Sequence, residues 1–122
     1  MNDIQRQVLT KLVDGLLEAE YTISVWKEEW LVEWADNSAE VMAALDQVKV
    51  ALLALTDLQT GLYAGKIYLL YPFDGSHIID DAFVDRRALS AIQAANELHE
   101  QLRSSHERNR TPDHYPIAEL AY

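Results

Sequence analysis

Residues 21–34 read YTISVWKEEWLVEW, and the fold depends on whether this stretch is helix or strand. Taken with what precedes it, the helical reading is the stronger. From Asp3 to Asp36 the residues Ile4, Val8, Leu12, Leu16, Ala19, Ile23, Trp26, Trp30 and Trp34 recur at steps of three or four, the spacing of one helix face. Leu9, Val13, Leu17, Tyr21 and Val25 form a second row beside them, and a stripe this wide calls for burial against more than one neighbour, as in a bundle. Against the helix stand Gly15, which costs about 1 kcal/mol in a helix interior, and YTISVW at 21–26, which is rich in strand formers. The alternative is an α+β fold with a break near residue 15 and a strand near 20–26.

Beyond this stretch, Asn37 and Ser38 offer cap oxygens for a second helix, and Glu40 favours the positive end of its dipole. Val41, Leu45, Val48, Leu52, Leu55 and Leu58 keep the helical step until Gly61 and Gly65 supply places to stop. Residues 67–81, IYLLYPFDGSHIIDD, then change the pattern. Lys66 to Tyr71 is β-branched and aromatic, Asp74-Gly75 is a hairpin-turn dipeptide, and His77 to Ile79 can form the return. A hairpin at about 66–80 is expected, packed on the helices because an isolated one is marginal in water. Asp81 or Asp85 can cap a third helix running to about Asn109, with Leu89, Ile92, Ala95, Leu98 and Leu102 inward. Thr111-Pro112 ends it, leaving 1–110 as a single helical domain and 111–122 as an irregular tail. The expected fold is mainly α: a helical bundle of three main helices with a β-hairpin inserted between helices two and three, completed by dimerisation that covers the tryptophan ridge.

The chain carries 10 Lys and Arg against 20 Asp and Glu, a net charge of −10, which repels phosphate backbones and anionic lipid and points away from nucleic acid and membranes. It has no cysteine, so disulfide scaffolds and thiolate chemistry are excluded. No signal-peptide pattern follows Met1, and no apolar run approaches the roughly twenty residues that span a bilayer, so a cytoplasmic protein is expected.

Three groups of residues are candidates for chemistry. Glu28, Glu29, Glu33 and Asp36 accompany the tryptophans and form an acidic helical face suited to a basic protein partner. Trp26, Trp30, Tyr68 and Tyr71 could line a ligand pocket under the hairpin, with Asp80, Asp81 and Arg86 as its polar groups. Asp80, Asp81 and Asp85, followed by Arg86 and Arg87, also look catalytic, since neighbouring carboxylates can share a proton or hold a cation. Helix capping and ion pairing explain the same residues without chemistry. Glu97 and Glu100 show ExxE spacing with no second copy to complete a two-metal cage. His99 and His106 lie about 10 Å apart by helix rise, too far to share a metal. No phosphate loop, nucleophile elbow or zinc-protease motif occurs, and no cofactor is implied. The expectation is a non-enzymatic acidic interaction protein binding or inhibiting a basic partner. The alternatives are a small-molecule-binding protein or enzyme using Asp80, Asp81, Asp85 and Arg86, and a structural oligomer.

Overall fold

The structure, a computed structural model, describes the backbone of residues 1–71 and 78–120 and the side chains of 1–71 and 78–105. It is an α+β fold, and the mainly helical expectation is overturned. The first helix, α1 (Asp3–Glu18), opens with a reciprocal capping box: Gln5 N donates to Asn2 Oδ1 at 2.8 Å and Asn2 N to Gln5 Oε1 at 3.0 Å. Its apolar stripe, Val8, Leu9, Leu12, Val13 and Leu16, is buried. The helix stops at Glu18, and the chain reverses through Glu20, which takes the left-handed conformation with φ 67°.

The opening stretch is a tight hairpin, β1 (Tyr21–Lys27) and β2 (Glu29–Ala35), turning on Glu28 at φ 66°. Trp26 on β1 stands directly opposite Trp30 on β2. This is why a helix was the natural reading: two residues flanking a three-residue reversal are four apart in sequence, the same step as one helical turn. The second expected helix shrinks to α2 (Ser38–Leu45), capped as anticipated by Asn37, whose Oδ1 accepts from Glu40 N at 3.0 Å. A bidentate pair from Arg6 to Asp46, at 2.8 and 3.1 Å, ties the end of α2 to α1.

VALLALTD is a strand, β3 (Val50–Asp57), despite its helix-forming leucines and alanines, because Ala51, Leu53 and Leu55 alternate into the core between two strand neighbours. Then come β4 (Tyr63–Leu70), β5 (Ile79–Val84) and α3 (Arg86–Leu120), whose backbone runs on through the segment expected to be an irregular tail. The sheet order is β2-β1-β3-β4-β5, every neighbouring pair antiparallel. β4 and β5 pair as the hairpin expectation required, but its Asp74-Gly75 turn and His77 lie outside the described residues.

All three helices pack on one face of the sheet and share one core cluster. α3 contributes Ala88, Ala91, Ile92, Ala95 and His99 as its buried row, whereas Leu89, expected to face inward, is exposed. The small residues let α3 approach α1 closely. Within the chain the core cluster lies between the helices and the sheet. Among the described residues no helix is long and apolar enough to cross a membrane.

Candidate functional site

Among the described residues no helix covers the opposite face of the sheet. Along β1, β3 and β4 the odd-numbered residues point into the core, so the even-numbered ones form the open face. Strand register aligns Trp30, Trp26, Leu52, Tyr68 and Asp81 in one row across all five strands. In the next row Phe83 lies opposite Lys66 and Lys66 opposite Ala54. The Lys66 ammonium sits 5.5 Å from the Tyr68 ring centre and 5.4 Å from that of Phe83, and the two rings meet edge to face at 6.3 Å. The tryptophans are not core residues: Trp26, Trp30 and Trp34 are 39%, 48% and 64% exposed, and Phe83 is 56% exposed. Contiguous exposed aromatics on a covered-one-side sheet are the kind of surface that monomeric proteins rarely leave without a use.

Trp26, Leu52 and Tyr68, together with Val50 and Leu70, line a hollow of about 360 Å³ on this face. Glu28, Asp80 and Lys27 supply its charge. Two irregularities in the sheet shape the region. Between Val25 and Trp26 the β2 partner jumps from Val32 to Trp30, so the bulge sets one tryptophan opposite the other. On β5, Tyr68 pairs with Asp81 and Leu69 with Ile79, leaving Asp80 as the extra residue of a bulge beside the hollow.

The residues singled out in the sequence therefore separate. Trp26, Tyr68 and Asp80 meet at the hollow, and Trp30 and Asp81 flank it on the same row. Arg86, exposed at the start of α3, is not among its lining. Tyr71 lies elsewhere, with Asp46 beside the start of α1; its amide donates to Lys49 O at 2.9 Å. Its hydroxyl is buried with no hydrogen-bond partner among the described residues, and burial pushes its pKa well above that of an ordinary tyrosine. Asp85 does not join Asp80 and Asp81. Its carboxylate accepts from the Tyr21 hydroxyl and, at 3.1 Å, from Ala88 N, capping α3, and these bonds hold its pKa below the usual carboxylate value. Arg87 lies 4.3 Å over the Tyr21 ring and 3.5 Å from Asp57. Asp81 bonds its own chain, accepting from Ala82 N at 2.9 Å.

The acidic helical face is also corrected. Glu28 is the turn residue of the first hairpin, Glu29 and Glu33 lie on the edge strand β2, and Asp36 follows that strand. Charged residues on β2, and Asp80 and Asp81 on the other edge β5, also discourage edge-to-edge strand pairing, which accounts for part of their placement. Among the described residues no group of three His, Asp or Glu is placed to hold a metal ion. Leu52, Lys66, Leu70 and Phe83 are not among the site residues expected from the sequence; strand alternation is the signal that flags them, and for Leu52 a helical reading of residues 38–60 hides it. Compared with protein-family models, curated proteins and solved structures, the chain matches none, so the reading of this face rests on its own geometry and chemistry.

Proposed function

We propose that this is a non-enzymatic binding protein that docks a basic, apolar segment of a protein partner on the open face of its sheet. The observation that carries the reading is the row Trp30, Trp26, Leu52, Tyr68 on the open face of the sheet, its three aromatics exposed, with Asp81 at its end and Glu28 and Asp80 beside it. Magnitudes assign the roles. The exposed parts of Trp26 and Trp30 together amount to roughly 200 Å² for side chains of that size. Covering them returns about 5 kcal/mol at 25 cal/mol/Å², before the ordering costs of association. Surface ion pairs add about 0–1 kcal/mol each. The aromatics therefore supply affinity, and the acids, with the net charge of −10, supply partner choice and association rate.

Panning a random peptide display library against the folded protein tests this. The recovered peptides should combine Lys or Arg with apolar residues, lose affinity as ionic strength rises, and lose it again on Trp30→Glu. Peptides with no basic bias, or binding indifferent to Trp30→Glu, would remove the reading. So would a dimer in sedimentation that Trp30→Glu dissolves, because the face would then belong to a second copy.

A further inference from the structure

We propose that the hollow between Trp26 and Tyr68 is a receptor for one long-stemmed organic cation, and that in the docked complex this is a Lys or Arg side chain of the partner. The inference deepens the docking reading and rests on it for the source of the cation. Trp26 and Tyr68 both stand in register with Leu52, one on each neighbouring strand. Adjacent strands lie about 4.8 Å apart, so the two aromatic residues are about 9.6 Å apart across an aliphatic floor. Val50 and Leu70 extend that floor. Such a hollow has an apolar base for an alkyl stem and aromatic walls whose π-faces attract a positive head.

Its charge selects the same ligand. Among the described residues Glu28 and Asp80 line it with one cation, Lys27, a formal charge of −1 that disfavours anions. Asp80 is there because of the β5 bulge, which breaks the ladder for a single residue and places its carboxylate by the hollow. One ammonium, that of Lys66, already lies 5.5 Å from the Tyr68 ring centre, so the two carboxylates are needed to draw in a second cation. A neutral apolar anchor would gain nothing from the two carboxylates. A planar acid or phosphate would be repelled by them.

The test uses the full chain and three capped amino acids: Nα-acetyl-lysine methylamide, the arginine equivalent, and the neutral norleucine equivalent, titrated at constant ionic strength while the indole N–H signals are followed by NMR. Ligands of this size bind in the millimolar range at best. The lysine or arginine probe should give a saturable shift centred on Trp26 and bind several-fold more tightly than norleucine. Asp80→Asn, at an exposed bulge position, should weaken the cationic probe several-fold and leave norleucine unchanged, and Tyr68→Leu should weaken the cationic probe more than norleucine. Equal binding of norleucine, shifts confined to other tryptophans, or indifference to Asp80→Asn overturns the proposal. Its fate separates from that of the docking face. If basic peptides bind, fail with Trp30→Glu, yet tolerate norleucine at every Lys and Arg, the receptor is wrong and the face stands. If the capped cations bind as described and no peptide does, the receptor stands and the docking face falls.

Discussion

A Cβ placed on Gly15 of α1 would lie 2.9 Å from the Cβ of Ala91 on α3, closer than real Cβ atoms pack. The glycine that looks like a weak point in the sequence is where the two helices touch. In an isolated helix Gly15→Ala would gain about 1 kcal/mol of propensity. Here the neighbouring atom is fixed to the α3 backbone and cannot rotate away, so overpacking of about 1–3 kcal/mol outweighs that gain. Chemical denaturation should show Gly15→Ala less stable than the parent and the double variant Gly15→Ala, Ala91→Gly recovering most of the loss. A raised midpoint for the single variant would mean the helices separate freely at this point.

Gly65 fails more severely when substituted. It sits in β4 with φ 150°, and a Cβ there would meet the Phe83 carbonyl oxygen at 2.6 Å and Val84 Cα at 3.1 Å. Both are backbone atoms of the paired strand, so relief requires moving β5 itself. Gly65→Ala should cost about 2–4 kcal/mol, combining backbone strain with the clash. Its larger loss relative to Gly15→Ala, read from parallel urea melts, is the check.

Asp85 makes stability depend on pH in a definite direction. Its folded-state pKa is depressed, first by the Tyr21 hydroxyl and then by Ala88 N, so the unfolded chain binds a proton more readily. The resulting stabilisation is present above the unfolded carboxylate pKa, near 4, and is lost as pH falls through the lower folded value. Asp85→Asn keeps a capping oxygen and should differ from the parent at neutral pH, with the gap closing below about pH 4. Asp85→Ala loses the cap as well and should cost about 1–2 kcal/mol at neutral pH. A gap that widens in acid would contradict the assignment.

Trp34 holds a left-handed backbone, φ 50°, while its amide donates to Ser24 Oγ at 2.9 Å and its indole is largely exposed. A bulky residue there is strained by about 1–2 kcal/mol. Asparagine tolerates the same conformation, so Trp34→Asn should melt at an equal or higher temperature than the parent. A clear loss of stability would show that the indole is packed rather than strained.

The sequence by itself determined the local events. The Asn37 cap of α2, the Asp85 cap of α3 and the strand character of Lys66 to Leu70 could each be read within a window of a few residues. It also determined the charge, and with it the class of partner proposed. What it could not determine is the direction of side chains in strands, because a one-residue slip of register sends every side chain to the other face. Trp26 and Trp30 keep helical spacing and yet lie on two strands; Leu52 and Leu55 share an apolar run and yet face opposite sides of the sheet. Only pairing between segments far apart in the chain placed Tyr68 beside Leu52, and only a bulge brought Asp80 to the hollow. The open face is therefore a product of tertiary structure: three helices cover one side of the sheet, and the residues left on the other acquire their common surface from register alone.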